Sequence, residues 1–283
     1  MTDIINVLAA LPADHTLARL RQGRPDALAN AQRSFEALLE PADPGTFPHG
    51  QRYAVAAHVA RLHGAANATT FYAELLADEP APDGPRLDAA LAVAELMILR
   101  PRDATPDTIA QLRRAGWSED DIVSLTQLVA FLAFQLRVVH GLQVLAGYLP
   151  QHGEPVGPTA STEGRFVRHP LGWVPWVAPA EELSDEQIDA LIRPERATMP
   201  YFRLLARDPA ALKARTLTDL DIFYNPDGGL HRAEREFAAT VTSRFNGCEF
   251  CTSVHAARTV EEGGGAGDVD KLLADGPHAD LAD

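Results

Sequence analysis

Residues 123–145 read V-S-L-T-Q-L-V-A-F-L-A-F-Q-L-R-V-V-H-G-L-Q-V-L, apolar at helical spacing and nearly all round. A helix of that kind must be buried on several sides, so its neighbours must be elements that can surround it. The rest of the chain supplies them. Alanine is abundant, alternating β-branched runs are scarce, and residues 51–62, 86–99, 105–114 and 119–145 place apolar side chains three and four apart. Ser118 before Glu119, Asp120 and Asp121 is an N-cap with an acidic first turn. Gly116 stops the helix before it. The expected fold class is all-α.

Length and charge narrow what such a chain does. The 283 residues allow two domains or one large one, and 46 % hydrophobic with 23 % charged residues describe a soluble globular protein. A formal net charge of -14 repels phosphates, which argues against nucleic acid or an anionic membrane as partner. No basic-then-apolar leader is visible, and no apolar run is expected to span a membrane. Two cysteines cannot build a disulfide framework, so a reducing cytoplasm is the expected compartment and a CxxC pair is expected to be catalytic.

Regularity breaks between residues 150 and 180. Six prolines and the pair Trp173 and Trp176 mark a linker anchored by aromatics. Ser184 restarts helical patterning over 183–192 and 201–207. Residues 218–229 are expected to form an ordered loop ending in Asn-Pro-Asp-Gly-Gly, and the glycine-rich 261–268 ends the last strong helix.

That last helix carries the chemistry. Residues 236–255 read E-F-A-A-T-V-T-S-R-F-N-G-C-E-F-C-T-S-V-H and hold the only two cysteines. Asn246-Gly247 is a turn signal, so a helix opens at the first cysteine. Cys248, Cys251 and His255 then share one face. The helix N-terminus and the imidazole both favour thiolate, as redox or nucleophilic work requires. A zinc site is the structural alternative, but three donors in one helix lack a fourth ligand nearby. His58 and His63 have neither thiol nor carboxylate near them in sequence. Arg137 and His140, one turn apart on the apolar helix, are candidates for a pocket or interface.

The stretch also repeats. Laid without gaps, residues 52–72 match 235–255 at Arg52/Arg235, Ala56/Ala239, Arg61/Arg244, Gly64/Gly247 and Thr69/Thr252. In that register Tyr53 faces Glu236, Ala65 faces Cys248, Ala68 faces Cys251 and Tyr72 faces His255. The reactive groups of the second copy are thus absent from the first. Recurrence of Arg235 and Arg244 points to structural ion pairing. Leu75-Leu76-Ala77-Asp78 recurs as Leu272-Leu273-Ala274-Asp275. The first copy continues for about seventy residues after Asp78 and eight follow Asp275, so either the second domain is a shortened version or the first domain or another subunit supplies its cover.

The spacing E-x11-C-x2-C-x3-H, with S-R-F-N-G-C-E-F-C-T-S-V-H-A around it, resembles the AhpD-like peroxidase branch of the alkylhydroperoxidase D and carboxymuconolactone decarboxylase superfamily. The first half, through R-A-G-W-S-E-D-D-I-V and the apolar helix, resembles the same fold with its motif erased. The resemblance implies two AhpD-like helical domains. Residues 1–149 would carry the degenerate motif, 150–180 the linker, and 181–283 the CxxC site in an incomplete copy. It implies a thiol peroxidase needing no cofactor beyond a Cys248–Cys251 disulfide. Cys251 would attack the hydroperoxide, Cys248 resolve the sulfenic acid, His255 withdraw the thiol proton and Glu236 orient His255. A dithiol or lipoyl-protein reductant and a homo-oligomer are also implied. Some members have a histidine directly before the attacking cysteine; Phe250 stands there in this chain, removing that helper. The competing expectations are a decarboxylase or lactone-processing enzyme of the same superfamily, and a non-catalytic helical oligomerisation protein.

Overall fold

A computed structural model describes residues 3–148, 163–227 and 229–281. Among these the chain forms fourteen α-helices and no strands. They are α1 (Ile4–Leu8), α2 (Thr16–Arg21), α3 (Pro25–Leu39), α4 (His49–Leu62), α5 (Ala66–Ala77), α6 (Pro85–Leu99) and α7 (Pro106–Arg114). Then follow α8 (Glu119–Leu145), α9 (Asp185–Ala190), α10 (Pro200–Leu205), α11 (Pro209–Tyr224), α12 (Arg232–Phe245), α13 (Glu249–Glu261) and α14 (Ala266–Asp275). The all-α expectation holds.

Two compact units divide the chain, and neither is continuous in sequence. The first gathers Met1–Ile98, Thr105–Gly157 and Pro175–Asp219; the second gathers Leu99–Ala104, Pro158–Val174 and Leu220–Asp283. This differs from boundaries at 149 and 180, because residues 175–219 cluster with the first unit. Arg207 pairs with Asp120 at 2.5 Å, Ser124 Oγ donates to Asp208 at 2.7 Å, and Arg113 donates to the Trp176 carbonyl at 3.0 Å. Of the expected linker, 149–162 lies outside the described residues. Trp176 is 43 % exposed, and the neighbouring Val177 is buried.

The core of the first unit forms around α8. Ile122, Leu125, Leu128, Leu132 and Leu136 are at most 2 % exposed, packed by α1, α3, α4 and α7. Each such side chain stabilises by about 2 kcal/mol relative to water. Its start is a capping box: Ser118 Oγ accepts the Asp121 amide at 3.1 Å, and Asp121 Oδ2 accepts the Ser118 amide at 3.4 Å. The same carboxylate takes Thr46 Oγ1 at 2.7 Å and Arg86 at 3.0 Å, tying the helix start to two distant segments. One expectation needs correcting, because α8 is by length and composition apolar enough to cross a membrane. Most of that apolar surface is buried among its neighbours, as a core helix requires.

The repeat seen in the sequence is present in the backbone. Gly64 and Gly247 both adopt left-handed backbone, φ 63° and 72°. The Gly64 amide donates to Arg61 O and the Ala65 amide to Ala60 O; Gly247 donates to Arg244 O and Cys248 to Ser243 O in the same pattern. Thr69 Oγ1 bonds Ala65 O, as Thr252 Oγ1 bonds Cys248 O. Arg52 donates to Phe47 O and Leu38 O, and Arg235 to Leu230 O and Ile222 O. Arg52 and Arg235 thus hold backbone carbonyls in place, and Arg244, the other recurring arginine, donates to Leu273 O at 3.2 Å.

In the second unit Ala256, Val269 and Leu273 form a small core with Phe166, Phe237 and Val260. The segment before it docks on α13. The Arg165 amide donates to Glu249 Oε1 at 2.9 Å and the Leu171 amide to Ser253 Oγ at 3.0 Å. Residues 218–224, expected as loop, continue α11. Thr218 Oγ1 bonds Ala214 O one turn back, a bond only a helix offers, and the turn residues act only from Asn225 onward.

Candidate redox site

The site is built on the hairpin of α12 and α13. Asn246 caps α12, Gly247 reverses the chain, and Cys248 is the N-cap of α13, its Sγ 3.4 Å from the Cys251 amide nitrogen. An N-cap side chain satisfies one of the orphan amides of the first turn. Here the acceptor is sulfur, which is best served by a negative charge. The hydrogen bond from the Cys251 thiol lowers the Cys248 pKa most, burial opposes it, and the Cys251 amide, the nearby His255 and the Phe250 amide lower it further. The thiol is brought to about 6. The resting thiolate of the pair is thus Cys248, and both sulfurs are partly exposed.

Glu236 lies inside the hairpin, 2 % exposed. Its Oε2 is 2.6 Å from His255 Nδ1, and its Oε1 accepts from Arg232 Nε at 2.8 Å and from a second nitrogen of the same guanidinium. Burial raises the Glu236 pKa, but the hydrogen bonds and charges of His255 and Arg232 outweigh it and hold the carboxyl below its usual value. An ionised carboxylate only accepts, so Nδ1 carries a proton, and whenever the imidazole is neutral its lone pair is on Nε2. His255 stacks on Phe223 with ring centroids 5.7 Å apart, and Arg232 lies over Tyr224 at 4.0 Å.

The four residues expected from the sequence thus occur on one hairpin, with Glu236 and His255 in direct contact and the two cysteines sharing a helix start. The other weighed residues stand elsewhere. Arg137 donates to Ala133 O on its own helix, and His63, in the first copy, is pushed down to about 4 chiefly by burial. A groove lined by Phe166, Arg168, His169, Asp270 and Leu273 includes neither cysteine nor His255.

Residues 209–276, spanning α11 to α14, match the model of the carboxymuconolactone decarboxylase family. The match covers about a quarter of the chain, and over that stretch the sequence is similar to that family. No curated protein and no solved structure matches the chain. The matched stretch begins with α11, whose last turn supplies Phe223 and Tyr224. Neither was expected at the site, because 218–229 read as loop. Arg232 was also missed. Its signal was the i,i+4 spacing to Glu236, which is common on solvated helix faces and does not by itself single out a site.

Proposed function

We propose that the protein is a thiol-dependent peroxidase, reducing hydroperoxides through a Cys248/Cys251 dithiol–disulfide cycle. The observation that carries this is the convergence on one hairpin of a sulfur at a helix N-cap, a second sulfur one turn on, and a buried carboxylate bonded to His255. In this scheme Cys251 attacks the hydroxyl oxygen of the hydroperoxide as its proton passes along the hydrogen bond to Cys248. An S–O bond forms, the O–O bond breaks, and an alkoxide leaves. His255 Nε2 relays the Cys248 proton to that alkoxide, with Glu236 holding Nδ1. The Cys248 thiolate then displaces hydroxide from the Cys251 sulfenic acid, which leaves as water after taking a proton from solvent. The sum is dithiol plus hydroperoxide to disulfide, alcohol and water.

A dithiol, free or carried by a lipoyl protein, would restore the thiols, and a reducing compartment such as the cytoplasm suits that cycle. Assembly into a homo-oligomer belongs to the same reading. The test is hydroperoxide consumption with dithiothreitol as reductant. Cys251→Ser is expected to abolish turnover, and Cys248→Ser, exposed to hydroperoxide without reductant, to stop at one sulfenic acid per chain, trapped by dimedone. Undiminished catalysis by the double serine variant would instead fit a cysteine-independent activity such as decarboxylation.

A further inference from the structure

The two copies of the hairpin provide an internal control. Arg52 and Arg235 are retained, and each donates to the carbonyl five residues before it, Phe47 O and Leu230 O, so they belong to the scaffold. Cys248, Cys251, His255 and Glu236 are replaced by Ala65, Ala68, Tyr72 and Tyr53. In the same register Arg232, first residue of α12, faces His49, first residue of α4. His49 contacts the Pro41 carbonyl at 3.0 Å and stacks on Tyr53, the residue that stands in the register of Glu236. Arg232 thus changes with the reactive residues, although its place at the helix start is retained.

We infer that Arg232 is a positioning residue for the dithiol: by occupying Glu236 Oε1 it keeps that carboxylate ionised and fixes the His255 tautomer that can accept a thiol proton. This rests on the reading of the dithiol as reactive. The argument is one of proton placement. Glu236 is buried and has two oxygens, one on His255 and the other on the guanidinium. A buried carboxylate without a cationic partner takes up a proton. As the Nδ1 proton moves to the carboxylate, Nε2 takes one from solvent; Glu236 then donates to Nδ1, the neutral imidazole carries its hydrogen on Nε2, and the Nε2 lone pair is lost. The guanidinium supplies two donors to one oxygen, which a lysine cannot do in the same geometry. Stacking on Tyr224 keeps the fork in place when α12 is otherwise free to fray at its first residue.

The experiment is the pH profile of iodoacetamide alkylation of the reduced protein, which needs no hydroperoxide and so stands whether or not the chain is a peroxidase. Arg232→Gln is expected to move the alkylation midpoint up by about one pH unit. Arg232→Lys, which keeps the charge, is expected to recover most of that shift. In a Glu236→Gln background neither substitution should move the midpoint further, because the group through which Arg232 acts is gone. Folding is checked by circular dichroism; should Arg232→Gln not fold, Arg232→Met, which also removes the charge, carries the comparison in the two backgrounds. A midpoint unchanged from the unsubstituted protein in a folded Arg232→Gln variant would overturn the inference. So would a shift of equal size with and without Glu236, which would mean the guanidinium acts on the sulfurs directly.

Discussion

Glu236 Oε2 lies 2.6 Å from His255 Nδ1, joining α12 to α13 across the turn that presents the cysteines. Both residues face inward in a hairpin whose turn geometry is set by Gly247, so the contact is a product of the backbone and not of a mobile surface pair. Replacing Glu236 by glutamine keeps its shape but lets the amide donate to Nδ1, which forces the imidazole hydrogen onto Nε2. Hydroperoxide turnover of Glu236→Gln is therefore expected to fall about a hundredfold, measured as kcat/KM in the dithiothreitol-coupled assay. Retained activity would remove the relay from the mechanism.

The thiolate at Cys248 makes stability depend on pH and redox state. Its folded pKa, about 6, lies below that of an unfolded thiol, so the unfolded chain binds more protons between the two values. The stabilisation is present in full above the unfolded thiol pKa and is lost as pH falls through the folded one. Urea titrations of the reduced protein should thus show unfolding free energy rising from about pH 6 to about pH 9 relative to Cys248→Ser. The disulfide form, which has no thiol to titrate, should lack that rise.

Gly247 is needed for its positive φ, which an L side chain adopts at a cost of roughly 1–2 kcal/mol. Gly247→Ala should lower stability by about that amount in thermal melts. If the chain relieves the strain by rotating the turn, the N-cap at Cys248 shifts away from the Cys251 amide. Thiol alkylation at neutral pH should then slow as well.

Arg235 shows the contrast with Arg232. It holds the carbonyls of Leu230, Ile222 and Asn225, and its removal leaves those acceptors without that donor. Arg235→Ala should cost about 2 kcal/mol in chemical denaturation while leaving the alkylation midpoint of the surviving folded protein in place. A moved midpoint would show that scaffold and site are not separable here.

How much of this was legible beforehand depends on sequence distance. Glu236, Cys248, Cys251 and His255 were readable because one turn joins two regular helices, and regular helices convert spacing into geometry. The Arg52/Arg235 and Gly64/Gly247 matches were readable for the same reason, although the carbonyl-binding role of the arginines was not. Phe223 and Tyr224 were hidden because polar Thr218, Asp219 and Asp221 lead into Asn-Pro-Asp-Gly, a strong turn signal that takes effect only after the helix has reached Tyr224. The attachment of 175–219 to the first unit rests on pairs such as Ser124 with Asp208, more than eighty residues apart. No local pattern encodes a contact at that separation. The membrane-like length of α8 was underestimated because Glu119, Asp120 and Asp121 open it and Arg137 and His140 interrupt it near its end, leaving the uncharged stretch from Ile122 to Leu136 between them.

The most direct measurement of the central claim is a free-thiol titration, with intact mass, of the reduced protein before and after one equivalent of an organic hydroperoxide. The account predicts that both thiols disappear together, that the mass falls by two hydrogen atoms, and that dithiothreitol restores them. Two thiols still titrating after exposure, at unchanged mass, would contradict it.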